Sequence, residues 1–309
     1  DLGSSSAEWR NLFIDGTANI DTAAIDLANI TTLQIGGSAI SLNNLSDVLV
    51  ESNSLFIGTD PSATTDTASS NVAVGITALD AITTGDNNVS IGYGSGGALT
   101  TGHSNVAVGY LALSSSTNGD ENTAIGFEAL KSLNRSGTGD RNTAVGYQAL
   151  LNASNSDANV AVGSGAGKAI TSGNGNTLIG TFSGQALVGG INNTAVGYSA
   201  LQAEDGHGLN VAIGRSALSS LNAGADGYNV AVGTNAGDTM TTGVKNVVIG
   251  YQAGDALTTG SSNIAIGYQA LDAEDTASNN VAIGEAALGS SDGGNSNVAI
   301  GNNAGSAIT

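Results

Sequence analysis

Residues 263–284 read NIAIGYQALDAEDTASNNVAIG, so that Asn-Ile-Ala-Ile-Gly is followed by Asn-Val-Ala-Ile-Gly at an interval of 17 residues. The pattern Asn-(Val/Thr/Ile)-x-(Val/Ile)-Gly occurs fourteen times between residues 71 and 301. Eleven of the thirteen intervals are 17 residues long, and the other two are 20 and 19. Such a fixed period is typical of a protein built from one repeating structural unit.

Two residues of this repeat do not vary. Counting the asparagine as position 1, position 5 is always glycine. The asparagines are Asn71, Asn88, Asn105, Asn122, Asn142, Asn159, Asn176, Asn193, Asn210, Asn229, Asn246, Asn263, Asn280 and Asn297. The glycines are Gly75, Gly92, Gly109, Gly126, Gly146, Gly163, Gly180, Gly197, Gly214, Gly233, Gly250, Gly267, Gly284 and Gly301. We expect the asparagines to form a hydrogen-bonded ladder along a stack of coils, and the glycines to form corners that other residues disfavour.

The repeat is too short for a pair of helices or a propeller blade. Its Val-x-Ile segment has β-strand character and lacks helical periodicity. The sequence therefore predicts an all-β protein in which residues 71–309 form a parallel β-solenoid, or β-roll, of about fourteen coils. At about 4.8 Å per coil the stack is roughly 65–70 Å long. The handedness of the coil stays open.

The chain before the repeats divides into two segments. Residues 1–58 contain short β-like segments between Gly, Asn and Asp turns, and we interpret them as a β-rich neck or cap with Trp9 in its core. Residues 59–70 carry the only proline, Pro61, and are interpreted as a connector. At the other end, GNNAGSAIT stops within a repeat, so we expect a longer native chain.

The repeated strand is apolar on both faces. Positions 2 and 4, which carry Val, Ile or Thr, point to one side, and position 3, which is Ala in most copies, points to the other. One side lines the coil, and the other is expected to form an interface, because a long exposed apolar stripe favours aggregation. Cyclic symmetry around the rod axis covers such a stripe without producing an open polymer. The pattern therefore predicts self-association, but it does not assign the two faces.

Composition excludes several classes of function. The chain has 26 acidic and 7 basic residues and a formal charge of −19, which disfavours binding to nucleic acid or to anionic lipid. No apolar run reaches membrane-spanning length, so no membrane insertion is expected. The absence of cysteine excludes disulfides and thiol chemistry.

The sequence offers no catalytic constellation. His103 and His207 are interpreted as surface residues in variable loops. The pairs Glu204-Asp205 and Glu274-Asp275 lie at equivalent positions four coils apart, which is roughly 19 Å and beyond the approximately 5–9.5 Å needed for glycoside hydrolysis. We interpret these acids as solvated turn residues, and we expect no enzyme activity and no cofactor.

Calcium is the one ion left open. Loop acids at Asp86, Asp120, Asp140 and Asp226 are candidate Ca²⁺ ligands. The nonapeptide pattern of calcium-binding β-rolls is absent from the sequence, which argues against an ion in every coil.

Two family resemblances bear on function. The units NVAVGYLAL (105–113), NTAVGYQAL (142–150) and NVAIGEAAL (280–288) resemble the NSVAIGxxSxA repeats of trimeric autotransporter adhesin heads, which are trimeric left-handed parallel β-rolls. The coil in this chain is longer than theirs. This resemblance covers residues 71–309 and implies a homotrimer.

The N-terminal segment resembles a different family. LGSSSAEWRNLFIDGTANID (2–21) and LSDVLVESNSLFIG (45–58) are similar to elements that precede the shaft in bacteriophage tail fibres, especially those of marine and environmental phages. The resemblance implies a tail-fibre or virion-fibre shaft that acts as a rigid spacer, and it implies contact with other virion proteins and with a host-surface glycan or protein. The alternatives are the head of a bacterial trimeric adhesin and a glycan-cleaving tailspike. The expected location is the virion or another extracellular surface.

Overall fold

The structure is a computed structural model, and it describes residues 48–58, 66–134, 140–273, 275–290 and 294–306, together with the backbone of residues 34–35 and 38–39. The predictions made for Trp9, Pro61 and Glu274 lie outside the described residues.

The described chain consists of short strands and turns, with no helix. The strands are β1 (Gln34–Ile35), β2 (Ser38–Ala39), β3 (Val48–Glu51), β4 (Ser54–Ile57), β5 (Val72–Val74), β6 (Val89–Ile91), β7 (Val106–Val108), β8 (Thr123–Ile125), β9 (Thr143–Val145), β10 (Val160–Val162), β11 (Thr177–Ile179), β12 (Thr194–Val196), β13 (Val211–Ile213), β14 (Val230–Val232), β15 (Val247–Ile249), β16 (Ile264–Ile266), β17 (Val281–Ile283) and β18 (Val298–Ile300). A helix suited to crossing a bilayer is accordingly not found in this part of the chain.

The chain forms two compact units, residues 1–41 and residues 42–309. In the first unit, β1 and β2 pair in antiparallel orientation. In the second unit, β3 to β18 form one sheet of 16 strands in chain order. Each repeat contributes one strand of three residues, and the remainder of its coil is built from turns. The prediction of an all-β parallel solenoid is therefore confirmed.

The register of the sheet follows the repeat. Neighbouring strands from β4 to β18 are parallel, and each residue pairs with the residue at the same repeat position in the next coil, as Ala144 does with Ala161. The 20-residue interval leaves this register intact, because Thr123 still pairs with Thr143. The extra residues are accommodated outside the strand.

The coil closes through residues with left-handed backbone conformation. In the coil that begins at Asn142, the φ angles of Gln148, Leu150 and Ala158 are 53°, 50° and 56°. These residues occupy positions 7, 9 and 17. Positions 7 and 9 have positive φ in every coil, and so does the residue just before each asparagine, which is position 17 in the 17-residue coils. A left-handed leucine costs roughly 1–2 kcal/mol, so the apolar surface that its side chain buries must offset that strain.

The core is a narrow column inside the coils. Positions 3 and 8 contribute mainly alanine, and positions 9 and 12 contribute the larger side chains. A Cβ placed on Gly167 at position 9 would lie 2.9 Å from Leu150 of the preceding coil and 3.1 Å from Ile170 at position 12 of its own coil. Leucines of neighbouring coils therefore occupy the space that a position-9 glycine leaves.

Positions 9 and 12 are also matched within a coil. In the described coils with Gly at position 9, position 12 is large: Leu99, Ile170, Leu187, Met240 and Leu257. Where position 12 is small or polar, at Ser116, Ala153 and Glu204, position 9 is leucine. Three other coils carry large side chains at both positions, at Leu79 with Ile82, Leu130 with Leu133, and Leu218 with Leu221. No coil that the structure describes at both positions is small at both, which keeps the core closely packed.

Candidate functional site

The fourteen asparagines lie in one column along the repeat sheet. In all thirteen successive pairs, the backbone N–H donates to Oδ1 of the preceding asparagine over 2.8–3.2 Å. The Nδ2 group of Asn159 donates to Oδ1 of Asn142 over 3.1 Å and to the carbonyl oxygen of Gly173 over 2.8 Å. The column is buried except at Asn297, which is half-buried. The side chains therefore satisfy buried backbone groups at the start of each strand.

This ladder begins one coil earlier than the asparagine pattern. The N–H of Asn71 donates to Oγ of Ser54 over 2.9 Å, and β4 pairs in parallel with β5. Ser54-Leu55-Phe56-Ile57-Gly58 repeats the pattern 17 residues before Asn71, with serine in place of asparagine. The sequence reading missed this coil because it required asparagine, although the Gly58 spacing was a usable signal.

The position-5 glycines adopt φ angles between +126° and +140°, which L side chains rarely occupy. They also stack directly on one another. A Cβ on any of these glycines from Gly75 to Gly284 would lie within 2.7 Å of the carbonyl oxygen of the glycine in the next coil. Both the conformation and the close approach require glycine.

A second ladder runs along the corner just before the asparagines, and we call it the corner ladder. The N–H of Ser69 donates to Asp86 Oδ1 over 2.7 Å, that of Asp86 to His103 Nδ1 over 2.9 Å, and that of His103 to Asp120 Oδ1 over 2.7 Å. Serine and asparagine side chains continue it near the C-terminal end, where the N–H of Ser278 donates to Asn295 Oδ1 over 2.7 Å. Sequence reasoning missed this ladder, although polar residues recur two places before many of the asparagines.

The four candidate calcium ligands belong to this corner. Asp86 and Asp120 accept backbone hydrogen bonds from the preceding coil, and Asp226 accepts one from Gly208 over 3.2 Å. Asp140 is fully buried in the same column. Calcium binding at these residues stays a prediction.

The outward face of the sheet is apolar along its whole length. Position-3 side chains are buried inside the coil, whereas positions 2 and 4 point outward and are half-buried or exposed. Position 4 is Val or Ile in all fourteen repeats, and position 2 is Val, Ile or Thr. Ile91 and Ile213 are 40% and 39% exposed in the single chain. The structure thus assigns the two faces that the sequence left open: position 3 lines the coil, and positions 2 and 4 form the outward face.

An aromatic column borders this outward face at position 6. It carries Tyr or Phe in seven of the fourteen repeats, with exposed fractions of 41–54%. Tyr93, Tyr110, Phe127 and Tyr147 form a continuous stack with ring centroids 5.1–5.4 Å apart. Stacking along the rod follows from the parallel register, which places identical positions above one another.

Acidic side chains occupy position 10 in three consecutive coils, at Asp238, Asp255 and Asp272. Burial and, to a lesser degree, the charge of Asp255 raise the pKa of Asp272 to about 6. Burial and the charge of Asp238 likewise raise the pKa of Asp255. The parallel register therefore brings like charges together on this column.

The structure corrects the interpretation of Glu204 and His207. Glu204 is fully buried, and its Oε1 accepts a hydrogen bond of 3.1 Å from the N–H of His207. Ligand atoms of Glu204, Asp205 and His207 all lie within 4.8 Å of one another, the one such group of three or more His, Asp or Glu residues among those described. Glu204 is thus not a solvated turn acid, and His207 does have an acidic partner. The Glu-Asp-x-His spacing was the available signal.

Comparison with known proteins gives no relative: no family model, curated protein or solved structure matches this chain. The function must therefore be argued from the fold and from these surfaces.

Proposed function

We propose that this chain is the shaft of an extracellular fibre of the phage tail-fibre type, and that it acts as a rigid, non-catalytic spacer. The unbroken asparagine ladder carries this proposal, because thirteen successive links join the coils without interruption. Each coil contacts only its neighbours, as in other solenoids, so the number of coils sets the length of the spacer.

We further propose that three copies assemble through the outward face. This face has no charged residue at positions 2 and 4 in any repeat, although the chain carries a net charge of −19. A partner that covers a stripe along fourteen coils must have the same length and period, and a second copy meets both conditions. Position 6 carries Arg215 and Glu285, so we place this column at the rim of the interface, where charges keep contact with water.

The surface proposed for contact with other virion proteins and with a host glycan or protein is the set of loops that vary between coils. These loops carry the two length changes of the repeat and most of its charged residues. Variable loops on a rigid scaffold are the usual location of recognition residues.

Light scattering of the purified chain tests the assembly. We expect a mass three times that of the 30.1 kDa chain. Val108→Asp places a charge on the outward face and should abolish the trimer, whereas Thr101→Asp, at an exposed loop position of a neighbouring coil, should retain it. A stable monomer of the unsubstituted chain would refute the trimer, and equal effects of the two substitutions would refute the assignment of the interface.

The spacer itself is tested by electron microscopy of the same sample. Stiff rods of uniform length are expected. Particles that bend sharply within the repeat region would contradict the proposed role.

A further inference from the structure

The corner of the coil that begins at Asn193 contains a carboxylate in a core position. Glu204 occupies position 12, where the preceding and following coils place Leu187 and Leu221, and all three side chains are fully buried. A buried carboxylate is costly unless polar partners surround it. Two backbone groups supply part of that need, since the N–H of His207 donates to Oε1 over 3.1 Å and the N–H of Ala223 donates to Oε2 over 3.4 Å.

The imidazole next to Glu204 has an unsatisfied nitrogen. Nδ1 of His207 is shielded from solvent and makes no hydrogen bond, and it lies 3.4 Å from Oε1 of Glu204. A neutral imidazole nitrogen that lacks hydrogen and a carboxylate oxygen are both acceptors. Two acceptors that face each other away from water are incompatible, so either Nδ1 carries a hydrogen of the imidazole or a metal ion lies between the two atoms.

We propose that Glu204, Asp205 and His207 bind a divalent transition-metal ion of the zinc type. Zinc accepts nitrogen from histidine and oxygen from carboxylates at about 2.0–2.2 Å. With bonds of that length, the 3.4 Å separation of Nδ1 and Oε1 corresponds to an angle at the metal close to tetrahedral. Asp205 is exposed and supplies the third ligand from within 4.8 Å.

The donor set decides the class of ion. Calcium and magnesium prefer oxygen ligands only and take six or more of them, whereas an imidazole nitrogen favours zinc and its neighbours among the transition metals. Three protein ligands leave one tetrahedral position for water. The site lies in the coil that precedes the 19-residue coil. The two coils are in contact there, since the N–H of Ala223 in the 19-residue coil donates to Glu204.

The chain contains matched controls for this site. His103, the only other histidine, is in the corner ladder, where its Nδ1 accepts a hydrogen bond from Asp86 over 2.9 Å. The sequence Glu274-Asp275 repeats the acidic pair, but Ala277 stands where the first pair has His207. A metal site that needs the imidazole is therefore expected in one coil and not in the other.

Titration calorimetry with Zn²⁺ on the full chain, prepared without a histidine tag, tests the proposal. We expect one ion per chain and a higher unfolding temperature with the ion bound, since a ligand specific for the native state stabilises it. His207→Ala and Glu204→Gln should each weaken binding by at least about tenfold. His103→Ala should bind as the unsubstituted chain does. Co²⁺ in place of Zn²⁺ should give the intense visible absorption of a tetrahedral complex.

His207→Ala keeps the test decisive if Glu204→Gln fails to fold, because His207 lies at the surface side of the cluster and its side chain is 31% exposed. Absence of Zn²⁺ binding to the unsubstituted chain would mean that the pair shares a proton, and the proposal would be wrong. Binding that survives His207→Ala would also overturn it, as would a preference for Ca²⁺ at the same residues.

Discussion

At the level of single residues, Asn159 shows why one side chain recurs in every coil. Its Oδ1 accepts both the N–H and the Nδ2 group of Asn176, over 3.0 and 2.9 Å, while its own Nδ2 donates to two oxygens. Aspartate lacks the donor, and serine lacks the reach to the second partner. Asparagine combines a donor and an acceptor with the reach to both partners, and serine stands at the start of the ladder, where Ser54 accepts the N–H of Asn71.

Replacing Asn159 with alanine should destabilise the solenoid by about 2–4 kcal/mol, because it leaves buried donors and an acceptor unsatisfied. Chemical denaturation of the two proteins measures the difference. Asn155→Ala, on the exposed side of the same corner, should change stability by less than about 0.5 kcal/mol. Similar losses at both positions would show that the ladder has no special part in stability.

The corner glycines permit a second test. A Cβ on Gly163, whose φ is +140°, would lie 2.5 Å from the carbonyl carbon and oxygen of Gly180. Gly163→Ala should therefore cost about 2 kcal/mol or more from strain and overlap together. A Cβ on Gly189 meets only Ser172 Oγ at 3.6 Å, so Gly189→Ala should be nearly neutral. Thermal unfolding of the two variants and the unsubstituted chain measures both effects.

At the level of the coil, packing and electrostatic interactions depend on the side chains at the same positions in the two neighbouring coils. The exchange between positions 9 and 12 keeps the core filled, and the corner ladder and the aromatic column arise from the same vertical alignment. The alignment is unfavourable where charges of one sign coincide. Asp238, Asp255 and Asp272 are the example, because no basic residue separates them within their column.

These stacked acids predict a pH dependence. The pKa of Asp272 is about 6 in the folded chain against 3.8 for the isolated group, so the folded state binds the proton more tightly. Asp272 therefore contributes stability that is fully present below about pH 4 and is lost as the pH rises through about 6. Asp272→Asn should raise the free energy of unfolding at pH 7.5 by an amount on the order of 1 kcal/mol after solvent screening, and the unfolding temperature should rise with it.

Measurement of the unsubstituted chain and of Asp272→Asn at pH 4 is the control. At pH 4 the carboxyl of Asp272 is protonated in the folded state, so the two unfolding temperatures should converge. A difference that persists unchanged from pH 7.5 to pH 4 would show that ionisation of Asp272 is not the cause.

At the level of the whole molecule, the number of complete repeats should determine the length of the solenoid. Removing residues 142–192 deletes three complete repeats and leaves Asn193 to follow Asn122 in the ladder. The shortened protein should fold, and its rods should be shorter by about 14 Å in electron micrographs. Removing residues 159–166 instead takes out part of one coil, shifts the register and should reduce stability sharply, as circular dichroism on heating would reveal.

Much of this structure was readable from sequence because the repeat reports local geometry. Fourteen copies of Asn-x-x-x-Gly at a fixed interval determine one strand per coil, a parallel register and the positions of both invariant residues. A strand of three residues has a strict alternation, so the existence of two apolar faces also followed. Neither conclusion depends on contacts between distant parts of the chain.

Other features depended on the tertiary structure. Which apolar face is buried is decided by the direction in which the turns close the coil, and those turns rest on positive φ angles at residues such as Gln148 and Leu150. Sequence propensity does not forecast left-handed leucine or glutamine. Burial of Glu204 and its approach to His207 likewise depend on which residues the coil turns inward. The sequence by itself thus determined the repeating strand and its ladder, while only the closed coil decided which side chains face the core, the solvent and one another.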